Sequence, residues 1–166
     1  MSKARHSVEI YLQPGEFHFG GRDLRIRTLL GSCVAITMWH PRLRIGGMCH
    51  FMLPSRPNPS GDPDGRYADE AIDLFHRAIS ISGTNHRDYE VKMFGGGSMF
   101  ELGDREDNIA SRNVQAARKL LQENGHHVVA EHVGMYGSRY VIFDIRSGTV
   151  WLRHAPVLQQ EIGEWK

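Results

Sequence analysis

The segment LRIRTLLGSCVAITMW, residues 24–39, contains two strand patterns joined by a short break. From Leu24 to Leu30 the apolar residues stand at alternate positions, which is typical of a strand. The run Val34–Trp39 is nearly all apolar and β-favouring, which indicates a second strand. The residues between them, Gly31–Cys33, interrupt both patterns. We therefore expect the chain to turn or kink at this point.

Similar patterns predict further strands on either side of this segment. They cover His6–Leu12, Arg44–Leu53, Asp88–Phe94 and Val128–Val133, with a hairpin of Arg139–Ile145 and Thr149–Leu152 across Ser147-Gly148. Two amphipathic patterns predict helices, one from about Ala68 to near Gly83 and one from about Asn108 to Asn124. Many strands with two helices predict an α+β fold, in which helices cover a mostly antiparallel sheet or sheet pair.

The composition fits a single soluble domain. The chain has 166 residues, of which 40% are apolar and 23% charged, as in ordinary globular proteins. Its formal charge of +1 provides no overall field for nucleic acid or membrane. No apolar run approaches the roughly 18 residues of a membrane span, and the N-terminus lacks the apolar stretch of a signal peptide. We expect one domain over residues 1–166, located in the cytoplasm.

Cys33 is a candidate nucleophile. Such a thiol needs partial exposure, nearby backbone donors and a base within hydrogen-bond reach. Gly31 allows close backbone approach, the N–H groups of Ser32 and Cys33 are candidate oxyanion donors, and His50 lies on the next strand-like run. The alternative is a buried core cysteine, which is the commoner state of a cysteine flanked by valine and alanine. Residue chemistry alone leaves both interpretations open.

Five motifs are spread along the chain in a defined order. They are Leu30-Gly-Ser-Cys-Val-Ala35, Gly46-Gly-Met-Cys-His-Phe-Met-Leu-Pro54, Lys92-Met-Phe-Gly-Gly-Gly97, Asn108-Ile-Ala-Ser-Arg-Asn113 and Gly137-Ser-Arg-Tyr-Val-Ile-Phe-Asp144. Together they resemble the CheD family of chemoreceptor glutamine deamidases, which shares the seventeen-residue spacing from Cys33 to His50. The resemblance extends over about residues 6–154.

The resemblance implies a catalytic set of Cys33, His50 and Thr28. Separately, we expect no cofactor, and the spacing of the histidines gives no reason to expect a metal. Cys33 would attack the side-chain amide of a glutamine and form a thioester, His50 would act as its base, and Thr28 would orient His50. Some family members carry the threonine six residues before the cysteine. Position 27 is arginine here, so Thr28 is the candidate.

The resemblance also implies a fold and partners. The fold would be similar to the catalytic domain of the cytotoxic necrotizing factor deamidases, with a β-sandwich-like core of mainly antiparallel strands covered by helices. Methyl-accepting chemotaxis receptors would be the substrates, and some family members bind the phosphatase CheC. We expect no nucleic acid and no membrane insertion. Cys49 stands where a polar residue is common, and strand alternation places it opposite His50, as a core residue.

Three other features admit simpler interpretations. The glycines Gly95–Gly97 lack the lysine of a P-loop, so we expect a tight turn beside the active site. The proline-rich segment Pro54–Gly65 is predicted to be a surface or active-site loop. Four histidines resemble no firm zinc pattern, namely His126, His127, His132 and His154. The alternative functions are a non-catalytic adaptor and another thiol-dependent hydrolase of peptides or small amides.

Overall fold

A computed structural model describes residues 8–99 and 108–156 of the chain. Within these ranges there are nine strands, two α-helices and one turn of 3-10 helix (His86–Asp88). In chain order the strands and α-helices are β1 (Val8–Tyr11), β2 (Phe17–Gly20), β3 (Leu24–Leu30), β4 (Val34–His40), β5 (Ile45–Phe51), α1 (Ala68–Ile81), β6 (Glu90–Gly95), α2 (Ile109–Glu123), β7 (Val128–Val133), β8 (Ser138–Asp144) and β9 (Val150–Ala155). His6, where the first predicted strand starts, lies outside the described residues.

The strands form two sheets. One has the order β1-β3-β8-β9 and the other the order β2-β5-β4-β6-β7. Among the strand pairs of the described residues, β1–β3 and β6–β7 are parallel, and the other pairs are antiparallel. The predicted α+β class is confirmed, as two mixed sheets with two helices.

Two hydrophobic cores divide the described part of the molecule into three layers. The first lies between the five-stranded sheet and the helices, and it contains Phe75 of α1 and Leu121 of α2. The second lies between the two sheets, and it contains Ile26, Ala35 and Phe143. The helices therefore cover one sheet only. Neither helix in the described part of the chain is long and apolar enough to cross a membrane.

The local sequence explains most element boundaries. Alternation in β3 buries Leu24, Ile26, Thr28 and Leu30 in the inter-sheet layer, whereas β4 is buried along almost its whole length because a layer packs on each face. Helix α1 ends just before Gly83, which adopts a φ of +72°, as glycines that follow helices do. The short edge strand β2 was not predicted.

Candidate active site

The chain passes from the four-stranded to the five-stranded sheet through Gly31–Cys33, between β3 and β4. Two backbone N–H groups from the glycine run after β6 hold this connection. The N–H of Gly97 donates to the Gly31 carbonyl oxygen over 2.9 Å, and that of Gly96 donates to the Cys33 carbonyl oxygen over 2.8 Å. The glycine run therefore lies beside Cys33 and fixes the segment that carries the thiol. It forms no tight turn, because Gly95 ends β6 and Gly96 and Gly97 bind the Gly31–Cys33 segment instead.

A hydrogen bond joins Thr28 and His50 across the layer between the two sheets. Thr28 Oγ1 and His50 Nδ1 are 2.7 Å apart, and the Thr28 hydroxyl donates to the Leu12 carbonyl oxygen over 2.8 Å. A hydroxyl has one hydrogen, and a carbonyl only accepts, so Thr28 Oγ1 must accept the Nδ1–H of His50. The neutral imidazole then carries its proton on Nδ1 and has a free lone pair on Nε2.

Cys33 and His50 reach the same face of the five-stranded sheet from neighbouring chain segments. His50 of β5 pairs with Ala35 of β4. Cys33 lies two residues before Ala35, and the side chains of Cys33 and Ala35 both pack against the core between the sheets. Diagonal neighbours on one sheet face are within reach of each other's longer side chains. The thiol and the imidazole therefore share one end of the inter-sheet layer.

Burial keeps both members of this pair uncharged. It lowers the pKa of His50 to about 4, so the imidazole is neutral at pH 7 and able to accept a proton. Burial also raises the pKa of the Cys33 thiol, and a hydrogen bond with the Ser32 side chain opposes this only in part. The resting pair is a thiol and a neutral imidazole. Proton transfer must therefore accompany attack by the sulfur.

Cys49 lies on the opposite face of β5 from His50. It is fully buried in the core beneath the helices, and burial raises the pKa of its thiol to about 12. The expectation that Cys49 is a core residue is confirmed. Of the two unpaired cysteines, Cys33 is the one with solvent access.

A small, largely apolar cavity of about 160 Å³ opens beside Ser32. Met99 and Ile109 form part of its wall. Met99 also limits the space over Gly31, since a Cβ at position 31 would lie 3.3 Å from the Met99 sulfur. An apolar space thus borders the segment that carries the thiol.

The proline-rich segment Pro54–Gly65 is a loop, as predicted, and it is fixed beside the end of β5. Arg56 binds both carboxylate oxygens of Glu70 on α1, each over 2.8 Å. The N–H groups of Met52 and Leu53 both donate to the carbonyl oxygen of Arg66, over 2.8 and 3.1 Å. The residues that follow His50 are therefore bound to Arg66, the residue just after the loop, and the loop is bound in turn to α1.

The four histidines singled out by the sequence do not form one cluster. His126 contacts His76 of α1, with their Nε2 atoms 3.0 Å apart, and the ring of His86 lies against both. His132 and His154 pack together elsewhere. Across residues 8–99 and 108–156, no group of three or more His, Cys, Asp or Glu residues is arranged to hold a metal ion.

Comparison with known proteins identifies the family. Residues 52–154 match the profile of a family described as "CheD chemotactic sensory transduction". A Pseudomonas fluorescens (strain SBW25) protein named "Probable chemoreceptor glutamine deamidase CheD" is 48% identical over 160 residues, which are 95% of this chain and 90% of that one. The chain belongs to the CheD family. A Dechloromonas aromatica (strain RCB) protein named "Probable chemoreceptor glutamine deamidase CheD 3" is 50% identical over 147 residues, 87% of this chain and 86% of its own.

The match to these CheD proteins includes the site. The family profile begins only at residue 52, after Cys33 and His50. The alignment with the Pseudomonas fluorescens protein leaves out only 5% of this chain, and it therefore spans the whole segment from Thr28 to His50. The family resemblance recognised in the motifs is confirmed.

One residue at the site of this CheD chain was not predicted to have a role. The Nδ2 of Asn113 on α2 donates to the carbonyl oxygens of Ser32, over 3.1 Å, and of Met52, over 2.9 Å. The only signal in the sequence was that Asn113 ends one of the family motifs. Its two partners are 81 and 61 residues away along the chain, so no local pattern links them.

Proposed function

We propose that this CheD protein hydrolyses glutamine side-chain amides of methyl-accepting chemotaxis receptors to glutamate and ammonia. The Thr28–His50 hydrogen bond carries the proposal, because it leaves Nε2 of a neutral, buried imidazole as the free base. Cys33 lies on the same sheet face. A thiol with a base so placed is suited to acyl transfer. The relatives named as chemoreceptor glutamine deamidases support the substrate class.

The reaction would proceed through a thioester on Cys33. His50 Nε2 takes the thiol proton as the sulfur attacks the amide carbon, which gives a tetrahedral oxyanion. The oxyanion collapses, the carbon–nitrogen bond breaks, and His50 gives its proton to the leaving ammonia. Water then attacks the thioester, losing a proton to Nε2, and collapse releases glutamate and restores the thiol. Thr28 holds the imidazole by Nδ1 in each step.

Backbone N–H groups of the nucleophile segment would hold the oxyanion. The carbonyl groups of Gly31 and Cys33 are bound to Gly97 and Gly96, which fixes the path of the backbone around Cys33. Among the hydrogen bonds between described residues, the N–H groups of Ser32 and Cys33 have no acceptor. They are therefore free to donate to a developing negative charge.

The fold and setting agree with this assignment. We propose a single domain over residues 1–166 and a core similar to that of the cytotoxic necrotizing factor deamidases, which the arrangement of two sheets with outer helices supports. Both cysteines are unpaired, which is consistent with a reducing cytoplasm. Binding of the phosphatase CheC stays a prediction.

The test is to mix the purified protein with a cytoplasmic fragment of a methyl-accepting chemotaxis receptor. Each converted glutamine exchanges an NH2 group for OH in the fragment and releases one ammonia, so mass spectrometry and an ammonia assay both report the reaction. Cys33→Ala is expected to lower the rate by more than about a thousandfold. Cys49→Ala is the matched control, and it should retain the activity at temperatures where it is folded, because that thiol faces the other core.

Three results would contradict the proposal. Persistent deamidation by Cys33→Ala would show that this thiol is not the nucleophile. Tight binding of the receptor fragment without ammonia release would indicate a non-catalytic adaptor. Turnover of free glutamine in preference to the receptor would indicate another thiol-dependent amide hydrolase.

A further inference from the structure

We propose that Asn113 is a positioning residue that aims the backbone N–H of Cys33 at the oxyanion, an inference that rests on the proposed function. Asn113 lies on the buried face of α2 and is 0% exposed. Its Nδ2 binds the carbonyl oxygens of Ser32 and Met52. Ser32 directly precedes the nucleophile, and Met52 follows His50 by two residues. One side chain thus contacts both segments of the site.

The amide of Asn113 fits these partners in one orientation only. Exchange of its nitrogen and oxygen would set Oδ1 against the carbonyl oxygens of Ser32 and Met52, and all three are acceptors. In the observed orientation both amide hydrogens are used, whereas the buried Oδ1 has no partner among the described residues. A buried, unpaired acceptor is unfavourable. Asn113 therefore acts through its two hydrogens.

The Asn113 amide replaces strand pairing where that pairing stops. The last register pair of β4 and β5 is Val34 with Phe51. Ser32 and Met52 lie just beyond this pair, and the Asn113 amide joins them there. It thereby holds the nucleophile segment against the end of the strand that carries the base.

The bond to Ser32 also sets the direction of the Cys33 N–H. The Ser32 carbonyl and the Cys33 N–H belong to one trans peptide unit, so they point in opposite directions. Because Asn113 holds the carbonyl towards α2, the Cys33 N–H is turned away from α2. No described residue accepts a hydrogen bond from it. Without the Asn113 donor this peptide is free to rotate, and the oxyanion loses a fixed donor.

The test replaces Asn113 in the full chain. Asn113→Leu keeps the branched shape of the side chain and removes both donors without adding charge. Asn113→Ala removes both donors without adding bulk, so the test stays valid if the leucine variant misfolds. For each, kcat on the receptor fragment should fall by about ten- to hundredfold with KM within about twofold, because the donor acts in the transition state. Alkylation of Cys33 by iodoacetamide forms no oxyanion, so its rate should stay within about threefold.

Asn124→Leu is the matched control. The Nδ2 of Asn124 donates to the Leu120 carbonyl oxygen at the end of the same helix, so this variant also removes an asparagine donor from α2, but one bound within the helix. It should retain the wild-type kcat. Wild-type kcat in a folded Asn113 variant would overturn the inference, and so would an equal loss of kcat and alkylation rate, which would indicate a generally loosened site.

A readout without turnover separates this inference from the proposed function. The 15N resonance of the Cys33 amide should shift in Asn113→Ala and stay in place in Asn124→Leu. If the wild-type protein fails to deamidate the receptor, the proposed function is refuted while this measurement still tests the positioning. An unchanged Cys33 resonance in Asn113→Ala would overturn the inference.

Discussion

At the scale of single residues, the Thr28 hydroxyl joins three parts of the chain that are distant in sequence. It accepts from His50 on β5, donates to the carbonyl of Leu12 and is itself part of β3. A carboxylate at this position would stabilise the charged imidazolium and raise the pKa of His50. A neutral threonine orients the ring without that effect. The imidazole therefore stays an unprotonated base in its buried position, with a pKa of about 4.

Removing this hydroxyl should impair catalysis more than folding. Thr28→Val keeps the shape but leaves the Nδ1–H of His50 and the Leu12 carbonyl without their partner, at a cost of about 1–3 kcal/mol in stability. Since Nδ1 is then no longer held as the protonated nitrogen, kcat should fall by about a hundredfold or more. Thr28→Ser restores the hydroxyl and should recover most of the activity. Wild-type kcat in folded Thr28→Val would refute the orienting role.

The sequence placed Thr28 on the buried face of its strand, but its role was implied only by the family resemblance. Alternation in β3 places Thr28 with the buried residues and Arg27 on the other face, and the structure shows this arrangement. For Cys33, residue chemistry left both interpretations open but made a buried core cysteine the commoner one, and the family resemblance was needed to favour a nucleophile. The role of Asn113 could not be predicted, because it depends on tertiary contacts that bring α2 to the ends of β4 and β5.

At the scale of elements, the glycine run after β6 connects the nucleophile segment to α2. Gly96 has a φ of +62° and donates to the Cys33 carbonyl. A Cβ at position 96 would lie 2.2 Å from Cγ2 of Val114 on α2. Valine is rigid at χ1 in a helix, so it cannot move aside easily. A side chain at position 96 would therefore push the loop and the helix apart.

We expect Gly96→Ala to destabilise the protein more than the same change at Gly83. Both glycines have similar positive φ values, +62° and +72°, but a Cβ at Gly83 would meet nothing within 4 Å. Backbone strain should cost each variant about 1 kcal/mol, and overpacking should add about 1–3 kcal/mol at position 96.

Urea unfolding of both variants measures this difference. Adding Val114→Ala to Gly96→Ala should recover part of the loss, because it removes the methyl group that the new Cβ meets. Equal unfolding free energies for Gly96→Ala and Gly83→Ala would contradict the packing argument.

At the scale of the whole molecule, the sequence predicted the elements better than their assembly. The α+β class, both helices and most strands were predicted from the apolar patterns, because each pattern reflects which faces of the element are buried. The parallel pairing of β6 with β7 follows from the intervening α2, which provides the crossover that parallel strands need. The parallel pairing of β1 with β3 and the edge strand β2 had no such signal, since β2 is only four residues long and its partner is set by the assembled sheet.

Buried histidines should make the stability of the whole protein depend on pH. Burial lowers the pKa of His50 and of His126 to about 4 each, against about 6.5 in the unfolded chain. As the pH falls below 6.5 the unfolded chain binds protons that the folded protein does not, so stability is lost progressively down to about pH 4. At pH 5, each of these two histidines should lower the free energy of unfolding by about 2 kcal/mol relative to pH 7.

Urea unfolding at pH 7 and pH 5 tests this, with one variant and one control from adjacent positions. Between the two pH values, the free energy of unfolding of His126→Gln should fall by about 2 kcal/mol less than that of the wild type, because the variant lacks one of the histidines whose pKa is lowered in the folded protein. His127 is exposed, so His127→Gln should match the wild type at both. A full wild-type loss in His126→Gln would contradict the contribution of His126 and would leave His50, His76 or other groups as the source of the acid sensitivity.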